Sequence, residues 1–354
     1  MKQNRKTTSQ PKQIAYLIGA GATQAEADHR GGKKVDLLMK GLSQHILQRA
    51  NTDRTLKLQE PDIEKLISLL IATGITDYIK EAAELRKAYY EEILENLSKA
   101  GILQKPDLAI GLFEMHNNVL FKQFERLSGV ISLNHDNLFQ VAAREVHGCI
   151  NLGFNFEQTY FKWRRPEKVP RVIQLHGSFN WLNALPIKVV ELASQNRYDP
   201  DMLWIPPSIL KELKDYPYNK LTGLAYELLL KRCDILRIIG CSLSQNDWTI
   251  ISLLFNAQYK QFFHNKSCFK IQLIMPPETG EEVVKEMSYF KNLFPIQYLT
   301  DGNFADYKKD KSDRSSEMSN PFKYWLKAKV KYHISKREFD LKTIGKTLKR
   351  IIGA

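Results

Sequence analysis

The sequence is poor in cysteine: 4 among 354 residues, at Cys149, Cys233, Cys241 and Cys268, with no C-x-x-C pair. Isolated thiols build neither a disulfide framework nor a four-sulfur zinc site, so the chain reads as a reduced, cytoplasmic protein with no metal. Long apolar runs are missing too. None comes near the roughly 18–20 uncharged apolar residues of a membrane span, so no membrane is expected. The opening stretch MKQNRKTTSQPKQ lacks the apolar segment of a secretory leader. No fixed-period repeat is present. Acid is absent from residues 1–12, where Lys2, Arg5, Lys6 and Lys12 give +4.

What remains is the composition of a folded protein, 43% hydrophobic and 26% charged, which excludes a disordered or fibrous chain. The net charge of +13 sits at the ends: residues 301–354 hold 14 basic and 7 acidic side chains, and the body between the two ends is nearly neutral. A broad basic face for nucleic acid is therefore not expected. Two basic ends fit either solvated tails or a partner contact.

Short apolar runs recur along the chain. Ile14–Ile18 is uncharged and stops at Gly19-Ala20-Gly21, which predicts a strand buried on both faces. Val130–Leu133, Val172–Leu175, Ile235–Ile239 and Ile271–Met275 repeat the pattern, and Ile296–Leu299 reads as an edge strand. Helical spacing links Leu38, Leu42 and Ile46, then Ile63, Leu66, Ile67 and Leu70. It continues through Tyr78, Ala82, Leu85, Tyr89 and Leu97 to Leu108, Leu112, Met115 and Val119. Further helices are expected from Leu138 to Val146 and from about Asp247 to Tyr259. The alternation predicts an α/β fold: a Rossmann-like, doubly wound, mainly parallel sheet over 13–300, with a helical cap inserted at about 50–127. Residues 301–354 read as a basic linker and a C-terminal helix.

In such sheets ligands bind beyond the carboxyl ends of the strands. Glycine and polar residues gather there: Gly19, Gly21 and Thr23, then Asn134 and Asp136, then His176-Gly177, then Gly240-Cys241-Ser242. Taken singly, each has a plain structural reading. The Gly19–Gly21 loop fits a strand-to-helix turn as well as a phosphate cradle, since Gln24 stands where a third glycine would complete G-x-G-x-x-G. Thr23 fits a helix cap or a phosphate donor. Asn134 and Asp136 fit turn residues, and His176, like His135 and His147, fits a structural histidine.

Together and in this order, Gly-Ala-Gly, S-L-N-H-D, L-H-G-S-F-N-W and G-C-S-L resemble the sirtuin family, and more closely the bacterial sirtuin-like proteins of anti-phage defence in their short form. The resemblance covers about 14–30 and 128–280. It implies that Gly19, Ala20, Gly21 and Thr23 form the phosphate and ribose loop. Asn134 holds the ribose, Asp136 the nicotinamide amide, and His176 is the base. Gly240, Ser242 and Leu243 contact the cofactor. Leu133 stands where deacylating sirtuins usually carry Gln, and their two C-x-x-C pairs are missing here, so no zinc module is expected.

The resemblance thus implies an NAD+ hydrolase that releases ADP-ribose and nicotinamide, consuming NAD+ as substrate and needing no metal. A non-enzymatic NAD or ADP-ribose sensor, a deacylase and an ADP-ribosyl transferase stand as alternatives. It also implies a homo-oligomer in the bacterial cytoplasm, held inactive until a separate partner signals, such as a HerA-type ATPase. The tail carries Leu341, Ile344, Leu348 and Ile351 as one apolar stripe among basic residues. That stripe fits packing on its own domain, docking of a subunit or partner, or contact with nucleic acid, the last not favoured because aromatics are few.

Overall fold

The computed structural model describes residues 10–31, 34–50, 62–119, 121–158, 168–192, 198–206, 213–243, 247–265 and 269–275. The Ile296–Leu299 strand, the 301–320 linker, the basic tail and Cys268 lie outside them. In chain order the first half holds β1 (Lys12–Ile18), α1 (Ala20–Arg30), α2 (Met39–Ala50), α3 (Ile63–Ala72), α4 (Thr76–Ala100), α5 (Asp107–Asn117), β2 (Glu125–Ser132) and α6 (Leu138–His147). The second half holds β3 (Phe156–Gln158), β4 (Arg171–Gln174), β5 (Gly177–Leu182), β6 (Ile187–Val189), β7 (Met202–Trp204), α7 (Tyr218–Lys231), β8 (Ile235–Ile239), α8 (Trp248–Asn265) and β9 (Lys270–Ile274).

Five of these strands form one all-parallel sheet in the order β4-β2-β1-β8-β9, an arrangement compatible with a Rossmann-like fold. All five coincide with apolar runs read from the sequence. From β1 the chain builds outward through β2 and β4, then returns to the other side of β1 for β8 and β9. Ile14, Ala15, Tyr16, Leu17 and Ile18 are all 1% exposed or less, as a central strand covered on both faces requires. Each fully buried aliphatic side chain contributes roughly 1.5–3 kcal/mol.

The sequence pattern also places most of the helical core. Ile63, Leu66, Ile67 and Leu70 are buried in α3, whose N-terminus is capped by Asp62 accepting from the Glu64 and Lys65 N–H groups. Ala82, Leu85, Tyr89 and Leu97 are buried in α4, which ends on Gly101 in the left-handed region. Two positions depart from the expectation. Leu38 precedes α2 and is 44% exposed, and Val119 lies past the end of α5 and is 75% exposed. The helical stretch also ends sooner than about 127, because β2 begins at Glu125.

A second sheet of four short strands, β3-β6-β5-β7, was not foreseen. Three of its strands are 3 residues long, too short for alternation to register.

Two buried charges tie elements together. Arg237, in the middle of β8 and 0% exposed, donates to both carboxylate oxygens of Glu125 (2.8 and 2.7 Å), to the Tyr16 hydroxyl (3.0 Å) and to Gln272 Oε1 (2.8 Å). One guanidinium thus fastens β2, β1 and β9 to β8. The Tyr16 hydroxyl lies 2.7 Å from His116 Nε2 on α5, and burial drives the His116 imidazole well below its ordinary range, so it stays neutral. Glu26, on α1, accepts from the Leu108 and Ala109 N–H groups at 3.0 and 3.1 Å and so caps the first turn of α5. Burial nevertheless raises its carboxyl to about 7.

Removing one partner of the Arg237–Glu125 pair leaves an uncompensated buried charge. Arg237→Met should cost about 3–5 kcal/mol in urea unfolding, and adding Glu125→Leu should recover part of that loss. The raised Glu26 carboxyl binds its proton more tightly in the folded state than in the unfolded chain. Its contribution to stability should therefore fall as pH rises from about 4.5 to 7, by on the order of 3 kcal/mol. The wild-type minus Glu26→Gln difference, measured against pH, isolates this; a flat difference would refute it.

Candidate active site

The chain leaves β1 into Gly19, whose extended backbone starts α1 without a side-chain cap. It leaves β8 into Gly240, at φ +57. These two ends meet backbone to backbone. The Gly19 N–H donates to Ile239 O at 3.0 Å and the Gly21 N–H to Gly240 O at 2.8 Å. A Cβ on Gly19 would lie 2.6 Å from Gly240 O, one on Gly21 2.8 Å from Gly240 Cα, and one on Gly240 2.2 Å from the Ala22 nitrogen. Three glycines are needed because the loops touch. The junction lies between β1 and β8, where the strand order reverses and α/β sheets bind ligands.

Beside it, the loop after β2 presents Asn134 and Asp136, 9% and 7% exposed. The Asn134 amide donates to Gly19 O (3.1 Å) and to Thr23 Oγ1 (2.8 Å), and the Thr23 hydroxyl donates to Asp136 Oδ2 (2.7 Å). Asp136 Oδ1 accepts from the Leu138 N–H at 3.1 Å. Burial pushes the Asp136 carboxyl up from its ordinary value; hydrogen bonds from Thr23, Leu138 and Asn134 oppose that shift. Gln174, at the end of β4, holds the loop by donating to the Asn134 and Asp136 carbonyls at 3.3 and 2.6 Å.

His176 follows β4 and is 4% exposed. Its Nδ1 lies 3.1 Å from Leu133 O, and a carbonyl only accepts, so Nδ1 carries the proton and the neutral ring has its lone pair on Nε2. Gly177 sits at φ +72, where a Cβ would meet Leu203 O at 2.3 Å. His135 donates from Nε2 to Ile205 O (2.9 Å) and takes the Tyr89 hydroxyl on Nδ1 (3.2 Å), among Phe179 and Trp204, which is a structural role.

The structure therefore brings Gly19, Gly21, Thr23, Asn134, Asp136 and Gly240 into one bonded cluster, with His176 hung on the residue before Asn134. Ala20 is exposed at the start of α1. Ser242 is exposed, and Leu243 is buried at φ +49, a strained conformation for a branched residue. Among the described residues neither shares a hydrogen bond with the cluster. Gln174 and Gln140 were missed by the sequence reading; a glutamine ending an apolar strand before His-Gly was the available signal. Cys149, Cys233 and Cys241 are buried thiols, and burial pushes that of Cys233 far up. No three potential metal ligands gather among the described residues. No described helix is long and apolar enough to cross a membrane.

These features define a parallel α/β protein with a polar cluster at the strand ends. No family model matches the sequence, and no curated protein matches it.

The junction yields a sharp contrast between two glycines with positive φ. Gly240→Ala should cost more than about 3 kcal/mol or prevent folding, since its Cβ meets backbone. Gly148→Ala, at φ +71 with nothing within 4 Å, should cost only about 1–2 kcal/mol in urea unfolding. Equal costs would mean that the junction can open.

Proposed function

We propose that the protein hydrolyses NAD+ to ADP-ribose and nicotinamide, on a doubly wound Rossmann-like domain capped by the helices between about 50 and 127. The observation that carries this reading is the placing of His176 and Asn134. Leu133 O fixes the His176 tautomer, and the next residue is Asn134, so the base is anchored on the residue beside the ribose-holding amide. The order of the four strand-end motifs, which resembles the sirtuin-like proteins of defence, supports it.

In this reading the glycosidic C1′–N bond breaks with its electron pair going to nicotinamide, which departs neutral. A water oxygen bonds to C1′ as positive charge builds on the ribose, and the water's proton passes to His176 Nε2. Asn134 orients the ribose hydroxyls and Asp136 takes the nicotinamide amide. The Gly19–Gly21 loop, with Ala20 and Thr23, meets the pyrophosphate, while Gly240, Ser242 and Leu243 line the far side. Thr23, Asn134 and Asp136 are already bonded to one another, so substrate must exchange these bonds one for one. That closed state also favours a second reading, a binding module for NAD or ADP-ribose that does no chemistry. A defence role, a homo-oligomer and a separate HerA-type partner belong to the same proposal.

The test is to incubate the protein with NAD+, alone and with candidate partners, and follow nicotinamide by chromatography. His176→Ala should lower turnover about 100-fold or more while calorimetric NAD+ affinity stays within a few-fold. Parental turnover in that variant would remove His176 as the base. Binding without any loss of NAD+ would establish the module.

A further inference from the structure

The loop after β2 has two faces. Asn134 and Asp136 turn their side chains to Thr23, whereas His135 between them turns its own to Tyr89 and Ile205. The His135 carbonyl accepts from the Phe179 N–H at 3.0 Å and from the Ser178 hydroxyl at 3.1 Å. Ile205 serves both halves of the site through its backbone. Its carbonyl accepts from His135 Nε2 (2.9 Å), and its N–H donates to His176 O (2.8 Å). From α6, Gln140 donates to Gln174 Oε1 and Asn180 Oδ1, which directs the Gln174 amide hydrogens at the Asn134 and Asp136 carbonyls.

Those holds come from α6 and from strands or the turns beside them. Tyr89 brings in a different part of the chain, since it lies in α4, in the helical stretch between β1 and β2. Tyr89 is buried; its ring stacks on Trp204, with 5.8 Å between centroids and 8° between planes, and meets Phe179 edge-on. The packed ring gives its hydroxyl a defined position, 3.2 Å from His135 Nδ1. Ile205 O only accepts, so Nε2 carries the His135 proton and Nδ1 of the neutral ring is an acceptor. Burial pushes the Tyr89 hydroxyl far above its ordinary value, so it stays protonated and donates.

We propose that Tyr89 and His135 are positioning residues for the strand-end site: the Tyr89 hydroxyl, carried by α4, orients His135 and with it the flanking Asn134 and Asp136. The helical stretch between β1 and β2 thereby takes part in setting the site. The reaction served is the NAD+ cleavage proposed above, so the kinetic part rests on that reading and the geometric part does not. Neither residue touches the substrate. A displacement of the Asn134 amide by about 1 Å is enough to slow turnover on the order of 100-fold.

Tyr89→Phe removes the hydroxyl and keeps the ring. In NAD+ hydrolysis, with a partner where the parental protein requires one, it should lower kcat about tenfold and leave KM within about threefold. His135→Ala should lower kcat at least as far, and adding Tyr89→Phe to it should lower kcat no further, because the two act through one bond. The side-chain amide signals of Asn134, identified by their loss in Asn134→Ala, give a readout without NAD+. Tyr89→Phe should shift them in proton–nitrogen correlation spectra. Thermal melting verifies that each variant is folded, and His135→Gln, which keeps a donor for Ile205 O and lacks Nδ1, replaces His135→Ala if the latter is not. If the parental protein consumes no NAD+, the hydrolase reading fails and the Asn134 signals alone decide the positioning. Unshifted signals, parental kcat in Tyr89→Phe, a loss confined to KM, or fully additive losses would each overturn the proposal.

Discussion

The contact on which the site depends is the one between peptide backbones at Gly19–Gly21 and Gly240. β1 and β8 are neighbours in the sheet, and the loops that follow them cannot both turn upward at van der Waals distance if either carries a Cβ. With glycine on both sides, the carbonyls of Ile239 and Gly240 come close enough to accept from the Gly19 and Gly21 N–H groups. α1 is then launched in a fixed direction, which sets Thr23 over the loop after β2. Gly19 O, held in place by that junction, is also the acceptor for the Asn134 amide.

That cluster satisfies itself. Thr23 both accepts from Asn134 and donates to Asp136, so three polar side chains close on one another in a place where an orphaned group would cost about 1–3 kcal/mol. The arrangement keeps the fold independent of any ligand, and it lets a ligand enter only by offering equivalent bonds. His176 differs in kind, because its orientation comes from a carbonyl of the neighbouring strand's loop and not from the cluster. The same amide, Gln174, joins the site loop to the buried amides behind it. The polar interior is therefore one connected body, with the strand ends on one side and α6 on the other.

Much of this was legible in the sequence, for identifiable reasons. Strands covered on both faces read as unbroken apolar runs, so all five strands of the parallel sheet were visible, together with the glycine or polar turns that end them. Helices with a single buried stripe were visible through Ile63, Leu66, Ile67 and Leu70. The strand-end residues were found because they punctuate those runs. What escaped depends on residues distant in sequence or on runs too short to have a period. The 3-residue strands of the second sheet are of the latter kind. The Glu26 cap on α5 and the Gln140–Gln174–Asn180 amides are of the former. Leu38 and Val119 failed because periodicity does not say where a helix starts or stops. Arg237 was a signal in plain view, a guanidinium inside Ile-Leu-Arg-Ile-Ile, but nothing local names Glu125 as its partner.

Arg237 also has a consequence for how the sheet is assembled. Shifting β8 by one residue against β1 would turn its side chains to the opposite faces, since strand side chains alternate. The guanidinium would then leave Glu125, Tyr16 and Gln272 and enter an aliphatic layer. Apolar strands such as Ile14–Ile18 and Ile235–Ile239 would otherwise pair almost equally well in neighbouring alignments. A single charge in the middle of one of them makes the incorrect alignments expensive. Its carboxylate partner is 112 residues away in the chain, so the charge is compensated only when β2 lies beside β1. The buried pair thus makes one alignment of β8 against β1 and β2 far more favourable than its neighbours.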